Sequence, residues 1–316
     1  KSFWTSFRPF FDSLLKQRMT EAIMEIEIAK KLFETYRIGA ILILSEIGFT
    51  EQILMNLARK NHVVVLMMQH GVPYETEGAF ERNNLLGFSP NFSDYMITWG
   101  NMTKQYIESC GITSNKIKAL GSTFYDTLFT DTLAKEETIL LATSPPMKDL
   151  IHDNLVETNE KYQHAIEKIC RIVTNLNHKL IIKLHPSLVD FDIDSLVEKI
   201  DKKILIVRSG SITPLIENCK LMITFDLSTT ILETQILKKP VISISLKDYD
   251  FGESEIFKTK ACISIGIEDL EKTLNRIMTD VNYKNSLIKA GDAFVDKYVS
   301  NKGKSTSKIL EFLKQL

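Results

Sequence analysis

Two apolar, strand-like runs of the sequence each stop on a histidine. VVVLMM (63–68) leads into Gln69, His70 and Gly71, and LIIKL (180–184) leads into His185 and Pro186. An imidazole titrates near ~6.5, so it can serve as a general base or donate to a phosphate oxygen. Pro186 cannot continue a sheet and holds His185 at the rim of its strand. Gly71 leaves room for a substrate beside His70. A third element, TFDLSTTILE (224–233), places Asp226, Ser228 and Thr229 between a strand and a helix. Ser228 or Thr229 suits an N-cap, and the free backbone N–H groups beyond it form an anion site fit for phosphate. Glu233 follows about one turn later and can project toward the same ligand. Glu46, in LSEIGF (44–49), ends a neighbouring strand. It is either the base itself or the group that orients His70. Each of these residues also has a plain structural use, as a rim cap, an N-cap or a surface carboxylate.

These residues need strands that end at one edge. Residues 10–36 read as helix. IGAILILS (38–45), the run ending at His70, DYMITWG (94–100) and IKALGS (117–122) read as strands, separated by helices at 51–60 and 101–110 and a loop at 71–92. Continuous apolar runs suit a parallel sheet covered on both faces. The polar segment 129–138 reads as a linker between a domain of residues 1–130 and one of residues 137–316. The second half restarts the pattern. A strand and loop are expected at 139–146, further strands at 179–184, 203–209, 220–225 and 240–246, and helices at 159–177, 229–238, 267–280, 283–298 and 303–315. The fold class is α/β, with two doubly wound, Rossmann-type domains facing across a cleft. In such sheets ligands bind beyond the carboxyl ends of the strands. Gln69, Gly71 and Ser144 therefore fall on the cleft or acceptor side.

Composition narrows the function classes. The chain has 316 residues, 39 Lys+Arg and 40 Asp+Glu, for a formal net charge of −1, which gives no electrostatic case for nucleic acid. Its four cysteines are scattered and read as free thiols, and no His, Cys or acidic residues have metal-ligand spacing. No apolar run reaches the ~18 residues of a membrane span. Together these point to a cytoplasmic protein. Phe3, Trp4, Phe7, Phe10 and Phe11, beside Arg8, Lys16 and Arg18, would allow peripheral contact with the inner face of a membrane, or would pack on the first sheet. NKGKST (301–306) resembles the end of a phosphate-binding P-loop, but Tyr298 stands where that loop needs its first glycine.

QHGVP, KLHP and DLSTTILE followed by KKPVI, in this order, resemble the motifs of GT-B-type transferases that build surface polymers. The pattern is similar to that of CDP-glycerol glycerophosphotransferases and of bacterial polysialyltransferases and related capsule transferases. LGSTFYD (120–126) is similar to their Gly-x-Pro-x-x-Asp segment, with Thr123 in place of Pro. The resemblance implies transfer of a glycosyl or glycerophosphate group from a CMP-, CDP- or UDP-linked donor to a hydroxyl of a glycan or lipid-linked acceptor. His185, Pro186, Ser228 and Thr229 would hold the donor phosphates. Asp226 and Glu233 would contact its ribose or base, or shape the loop, and His70 or Glu46 would deprotonate the acceptor. No metal or other cofactor is required. Two alternatives are a nucleotide-sugar 2-epimerase-like isomerase and a non-catalytic nucleotide- or glycan-binding relative.

Overall fold

The structure, a computed structural model, describes residues 2–129, 137–144, 155–186, 192–246 and 251–316. Of the expected linker, residues 130–136 lie outside the described residues, as do Pro145, Pro146 and His152. The first half runs α1 (Ser2–Thr35), β1 (Ala40–Ile43), α2 (Phe49–Lys60), β2 (Val64–Met68), α3 (Phe80–Leu85), β3 (Tyr95–Thr98), α4 (Asn101–Ser109) and β4 (Ile117–Ala119). Its strands pair in parallel in the order β1-β2-β3-β4. Leu66, Met67, Met96 and Ile117 are fully buried, as strands covered on both faces require.

The second half begins with β5 (Thr138–Ala142), α5 (Leu155–Asn175), β6 (Lys179–Lys183), α6 (Ile193–Glu198), β7 (Leu205–Val207) and α7 (Thr213–Glu217). It continues through β8 (Cys219–Phe225), α8 (Thr229–Ile236), β9 (Val241–Ile244), α9 (Glu255–Lys258), β10 (Ile263–Ile265), α10 (Leu270–Thr279), α11 (Val281–Tyr298) and α12 (Ser305–Leu313). The parallel strand order is β10-β9-β8-β5-β6-β7. The chain moves from β5 outward through β6 to β7, then returns to β8 on the other side of β5. That reversal is the switch point at which doubly wound sheets open a crevice for ligands. The architecture is therefore the two-sheet, Rossmann-like α/β arrangement of GT-B-like folds.

The expected apolar stripe of α5 faces inward: Tyr162, Ile166, Ile169 and Val173 are buried in one core with Leu221, Ile223 and Ile242. On the opposite face a second core joins the two halves. It combines Trp99 and Tyr125 of the first half with Ile231, Leu232, Phe294 and Tyr298 of the second. The last helix also crosses back. Ile309 of α12 is buried with Leu66 and Ile97, and Phe312 meets Tyr95 edge-on at 5.2 Å.

Several elements differ from the sequence expectation. α1 starts at Ser2 rather than near residue 10 and carries Pro9 inside it. The loop at 71–92 contains α3, and β10, α6, α7 and α9 were not expected. These elements are three to six residues long, too short for an apolar period to register. Of the aromatic residues that open α1, Phe3, Trp4, Phe10 and Phe11 are exposed rather than packed on the first sheet.

Candidate functional site

The described candidates of the second half lie beyond the carboxyl ends of three adjacent strands. Thr143 and Ser144 follow β5, His185 follows β6, and Asp226 to Ser228 follow β8. The backbone N–H of His185 donates to Thr143 Oγ1 at 2.8 Å, and Ser144 Oγ lies 3.5 Å from the Phe225 carbonyl. Both contacts stitch the loops across the edge. His185 and Pro186 are exposed there. Burial, and then the charge of Lys183, hold the His185 imidazole below its ordinary value. Lys183 is itself buried and donates to the Leu184 carbonyl at 3.1 Å. A cation thus sits beneath the rim where an anion would arrive, a feature the lone Lys in LIIKL could have signalled.

Ser228 is the N-cap of α8, in extended conformation with φ −131°. Its Oγ accepts from the Thr230 N–H at 3.4 Å and lies 2.9 Å from Thr230 Oγ1. This leaves the start of an eight-residue helix facing the edge of the sheet, the geometry suited to an anion. Asp226 shapes the approach to it. Its backbone is left-handed, with φ +46°, which Asp tolerates better than most residues. Asp226 Oδ1 accepts from the Leu246 N–H at 3.1 Å, and its carbonyl accepts from Ser243 Oγ at 2.6 Å. Glu233 is buried at 5% exposure, and its Oε2 has no hydrogen-bond partner among the described residues. Burial pushes its carboxyl up to about 7. An orphaned buried carboxylate oxygen is costly unless it keeps a proton or accepts one from a ligand.

The loop after β2 brings the first half to this edge. A Cβ placed on Gly71 would lie 3.9 Å from Thr229 Cγ2, so the residue after His70 lies close to the first residue of α8. His70 is exposed overall, but one face of its ring stacks on Phe88 at 4.4 Å. Burial lowers its titration below the ordinary value, and the backbone of Leu44 and Leu86 pulls partly the other way. At neutral pH the ring is therefore uncharged and able to accept a proton.

The other first-half candidates serve different ends. Gln69 is buried and fully engaged. Its Nε2 donates to the Gly71 carbonyl at 2.8 Å, while its Oε1 accepts from the Trp99 N–H at 2.7 Å. It sets the turn that carries His70. Glu46 is 2% exposed, and its two carboxylate oxygens accept from the N–H groups of Phe92 and Ser93 at 2.6–3.1 Å. These bonds spend the carboxylate on holding the 92–93 turn.

Three residues of this seam had no site role in the sequence reading. Tyr74 packs on Phe251 at 5.6 Å, and burial, with Asp226 adding to it, pushes its phenol up to about 12. The Glu75 carboxyl accepts from Ser254 Oγ at 3.3 Å and engages Tyr298, while burial pushes it up to about 7. Tyr298, at the end of α11, is fully buried and lies 3.5 Å from Gln69 Nε2. A cavity of about 790 Å³ opens beside Glu75, lined also by Glu77, Phe80, Glu81, Tyr106 and Cys110. Its size falls in the range of small-molecule sites, roughly 300–1,000 Å³. Among the described residues no helix is long and apolar enough to cross a membrane.

Solved structures of similar fold cover most of the chain. S. aureus MnaA, in a co-structure with UDP, is 13% identical, with a TM-score of 0.66 over 94% of this chain and 80% of that one. Methanocaldococcus jannaschii UDP-GlcNAc 2-epimerase, in complex with UDP-GlcNAc and UDP, is 20% identical, with a TM-score of 0.58 over 93% and 80%. Anabaena Alr3699/HepE, in complex with UDP and glucose, is 12% identical, with a TM-score of 0.57 over 92% and 82%. At these identities the likeness is one of fold. No curated protein sequence matches the chain. The profile of the LIC12162 family transferases matches residues 3–256, and the chain belongs to that family.

Proposed function

We propose that this chain transfers a glycosyl or glycerophosphate group from a nucleotide-activated donor to an acceptor hydroxyl in the synthesis of cell-surface polysaccharide or glycoconjugate. The observation that carries this reading is the meeting of Gly71 with Thr229. It brings the loop that carries His70 up to the first residue of α8, a helix start suited to phosphate. The donor phosphates lie on the N–H groups that open α8, with Ser228, Thr229 and His185 around them and Lys183 beneath. Glu233, whose Oε2 lacks a partner among the described residues, accepts from the hydroxyls of the donor's ribose. Asp226 shapes the loop. The acceptor enters from the first half, where the cavity beside Glu75 offers the carboxylates of Glu77 and Glu81 as partners for sugar hydroxyls.

In the reaction the acceptor hydroxyl gives its proton to His70 as its oxygen attacks the donor's carbon or phosphorus. The bond to the nucleotide phosphate breaks, and the leaving phosphate keeps the electron pair while the α8 N–H groups and His185 stabilise it. Positioning across the seam supplies the rest of the rate. Glu46, tied to the backbone of Phe92 and Ser93, holds the loop rather than the proton. The proteins of similar fold carry UDP in their structures, so UDP is the first nucleotide to try, with CMP, CDP and GDP beside it. A thermal-shift panel reads this directly, because a ligand bound only to the folded chain raises its melting temperature. The same fold likeness favours a second reading, a nucleotide-sugar 2-epimerase. Incubation with UDP-GlcNAc and no acceptor separates the two: a new UDP-sugar isomer would assign the chain to epimerisation.

A further inference from the structure

Among the described residues nothing covers the apolar side chains at the two ends of one face of helix α1. Phe3 is 76% exposed, Phe10 63%, Met24 60% and Ile28 67%. A surface helix ordinarily turns such a face to a core, and an uncovered one marks an interaction site. Residues 3, 7, 10, 14, 17, 21, 24 and 28 are spaced by alternating steps of four and three, the repeat of a coiled-coil seam. They read Phe, Phe, Phe, Leu, Gln, Glu, Met and Ile. The seam is apolar at both ends and polar in the middle, where Gln17 Nε2 donates to Glu21 Oε1 at 2.8 Å. The helix meets its own domain by another face. Ala29 is buried, Phe33 packs on the first-half core, and Thr50 Oγ1 donates to Glu25 at 2.8 Å.

The charges say what covers the seam. Before residue 20 the helix carries Arg8, Lys16 and Arg18 against Asp12. After it come Glu21, Glu25, Glu27 and Glu34 against Lys30 and Lys31. An anionic bilayer would attract the first part and repel the second, although both parts carry exposed apolar side chains. A parallel second copy would set like charge against like. An antiparallel copy sets the basic part of each helix against the acidic part of the other, and Phe3 to Leu14 against the partner's apolar end. At 1.5 Å per residue the helix is about 51 Å long, enough for several turns of knobs-into-holes packing. We infer that α1 is a self-association surface, pairing antiparallel with α1 of a second copy about a two-fold axis near its polar middle. This inference does not depend on the proposed reaction.

Sedimentation velocity of the full chain across the micromolar range tests it. A reversible dimer is expected, and Phe10→Asp with Met24→Asp should leave a monomer of unchanged helical circular dichroism, since both side chains are already in solvent. Arg8→Glu with Lys16→Glu, and separately Glu27→Lys with Glu34→Lys, should each weaken the dimer by about tenfold. An equimolar mixture of the two charge variants should restore pairing. For orientation, a chain with Phe10→Cys is mixed with one carrying Met24→Cys. Disulfides between the two variants indicate antiparallel pairing, whereas cross-links only within each variant would overturn it. A wild-type chain that stays monomeric throughout the range, or that stays monomeric yet co-sediments with phosphatidylserine vesicles, would overturn the inference too.

Discussion

Gly71 and Thr229 meet across the seam between the two sheets. A side chain on Gly71 would begin 3.2 Å from Phe88 Cζ and 3.9 Å from Thr229 Cγ2. Gly71→Val crowds Phe88, which must give way, and fills the space up to Thr229, and overpacking of this kind costs about 1–3 kcal/mol. Nucleotide affinity should fall by about tenfold as the α8 start is displaced. Calorimetric titration alongside thermal unfolding checks this, and unchanged affinity in a folded variant would place the nucleotide elsewhere.

His70 gives the acid limb of the pH profile. Burial holds its imidazole below the ordinary value, so the proton-accepting form persists to lower pH than in a free histidine. Activity should be lost as pH falls through a value below ~6.5. His70→Ala should reduce turnover by roughly 10²–10⁴-fold and erase that limb, while leaving nucleotide affinity nearly unchanged. Full turnover in His70→Ala, with loss in Glu46→Ala, would move the proton to Glu46.

Glu233 links binding to protons. Burial raises its carboxyl from 4.5 to about 7, so the folded chain keeps a proton that the unfolded chain releases between those values. Stability from this group is fullest below the unfolded value and is lost as pH rises toward 7. Glu233→Gln stays neutral throughout. Its melting temperature relative to wild type should therefore be higher at about pH 8 than at about pH 5. A ribose hydroxyl donated to the carboxylate favours the ionised form, so nucleotide binding near neutrality should release a proton. Calorimetry in buffers of different ionisation enthalpy measures that release, and the variant should lack it.

Asp126 ties the last helix to the first half. Its carboxylate accepts from the N–H groups of Ser305 and Thr306 at 2.8 and 2.7 Å, and from Thr306 Oγ1 at 2.7 Å. Burial alone would raise its carboxyl, but the bonds from Thr306 and Ser305 outweigh that and hold it below its ordinary value. Asp126→Ala should cost about 0.5–2 kcal/mol, the worth of a helix cap, in denaturant unfolding. The wild-type advantage should fade as pH drops through the depressed carboxyl value.

The strands were legible because a parallel sheet writes itself as uninterrupted apolar runs. VVVLMM and LIIKL therefore locate both histidines from sequence alone. The N-cap of α8 was equally local, since Ser228 and its helix are adjacent in sequence. The seam was not local. Tyr298 reads as one more apolar position on an amphipathic helix, and nothing around it announces that its hydroxyl approaches Gln69, 229 residues earlier. Asp126 looked like part of a family motif, yet in the fold it caps a helix 179 residues away. Glu75 follows the HGVP segment, and nothing local tells that Ser254 and Tyr298 enclose it. Glu46 shows the converse. Its position at a strand end suited a catalytic acid, but burial and two backbone N–H groups give it an anchoring part that only the fold exposes.

The central claim is that the start of α8 holds the donor nucleotide while His70 stands on the acceptor side. Calorimetric titration of UDP, and then of CDP, CMP and GDP, into the wild-type chain, Ser228→Ala with Thr229→Val, His185→Ala and His70→Ala tests it most directly. At least one nucleotide should bind the wild type. Affinity should fall by about tenfold or more in the Ser228–Thr229 and His185 variants, as expected for lost hydrogen bonds to a charged group, and stay within about twofold in His70→Ala. Binding that is abolished by His70→Ala but untouched by the Ser228–Thr229 and His185 variants would contradict the account.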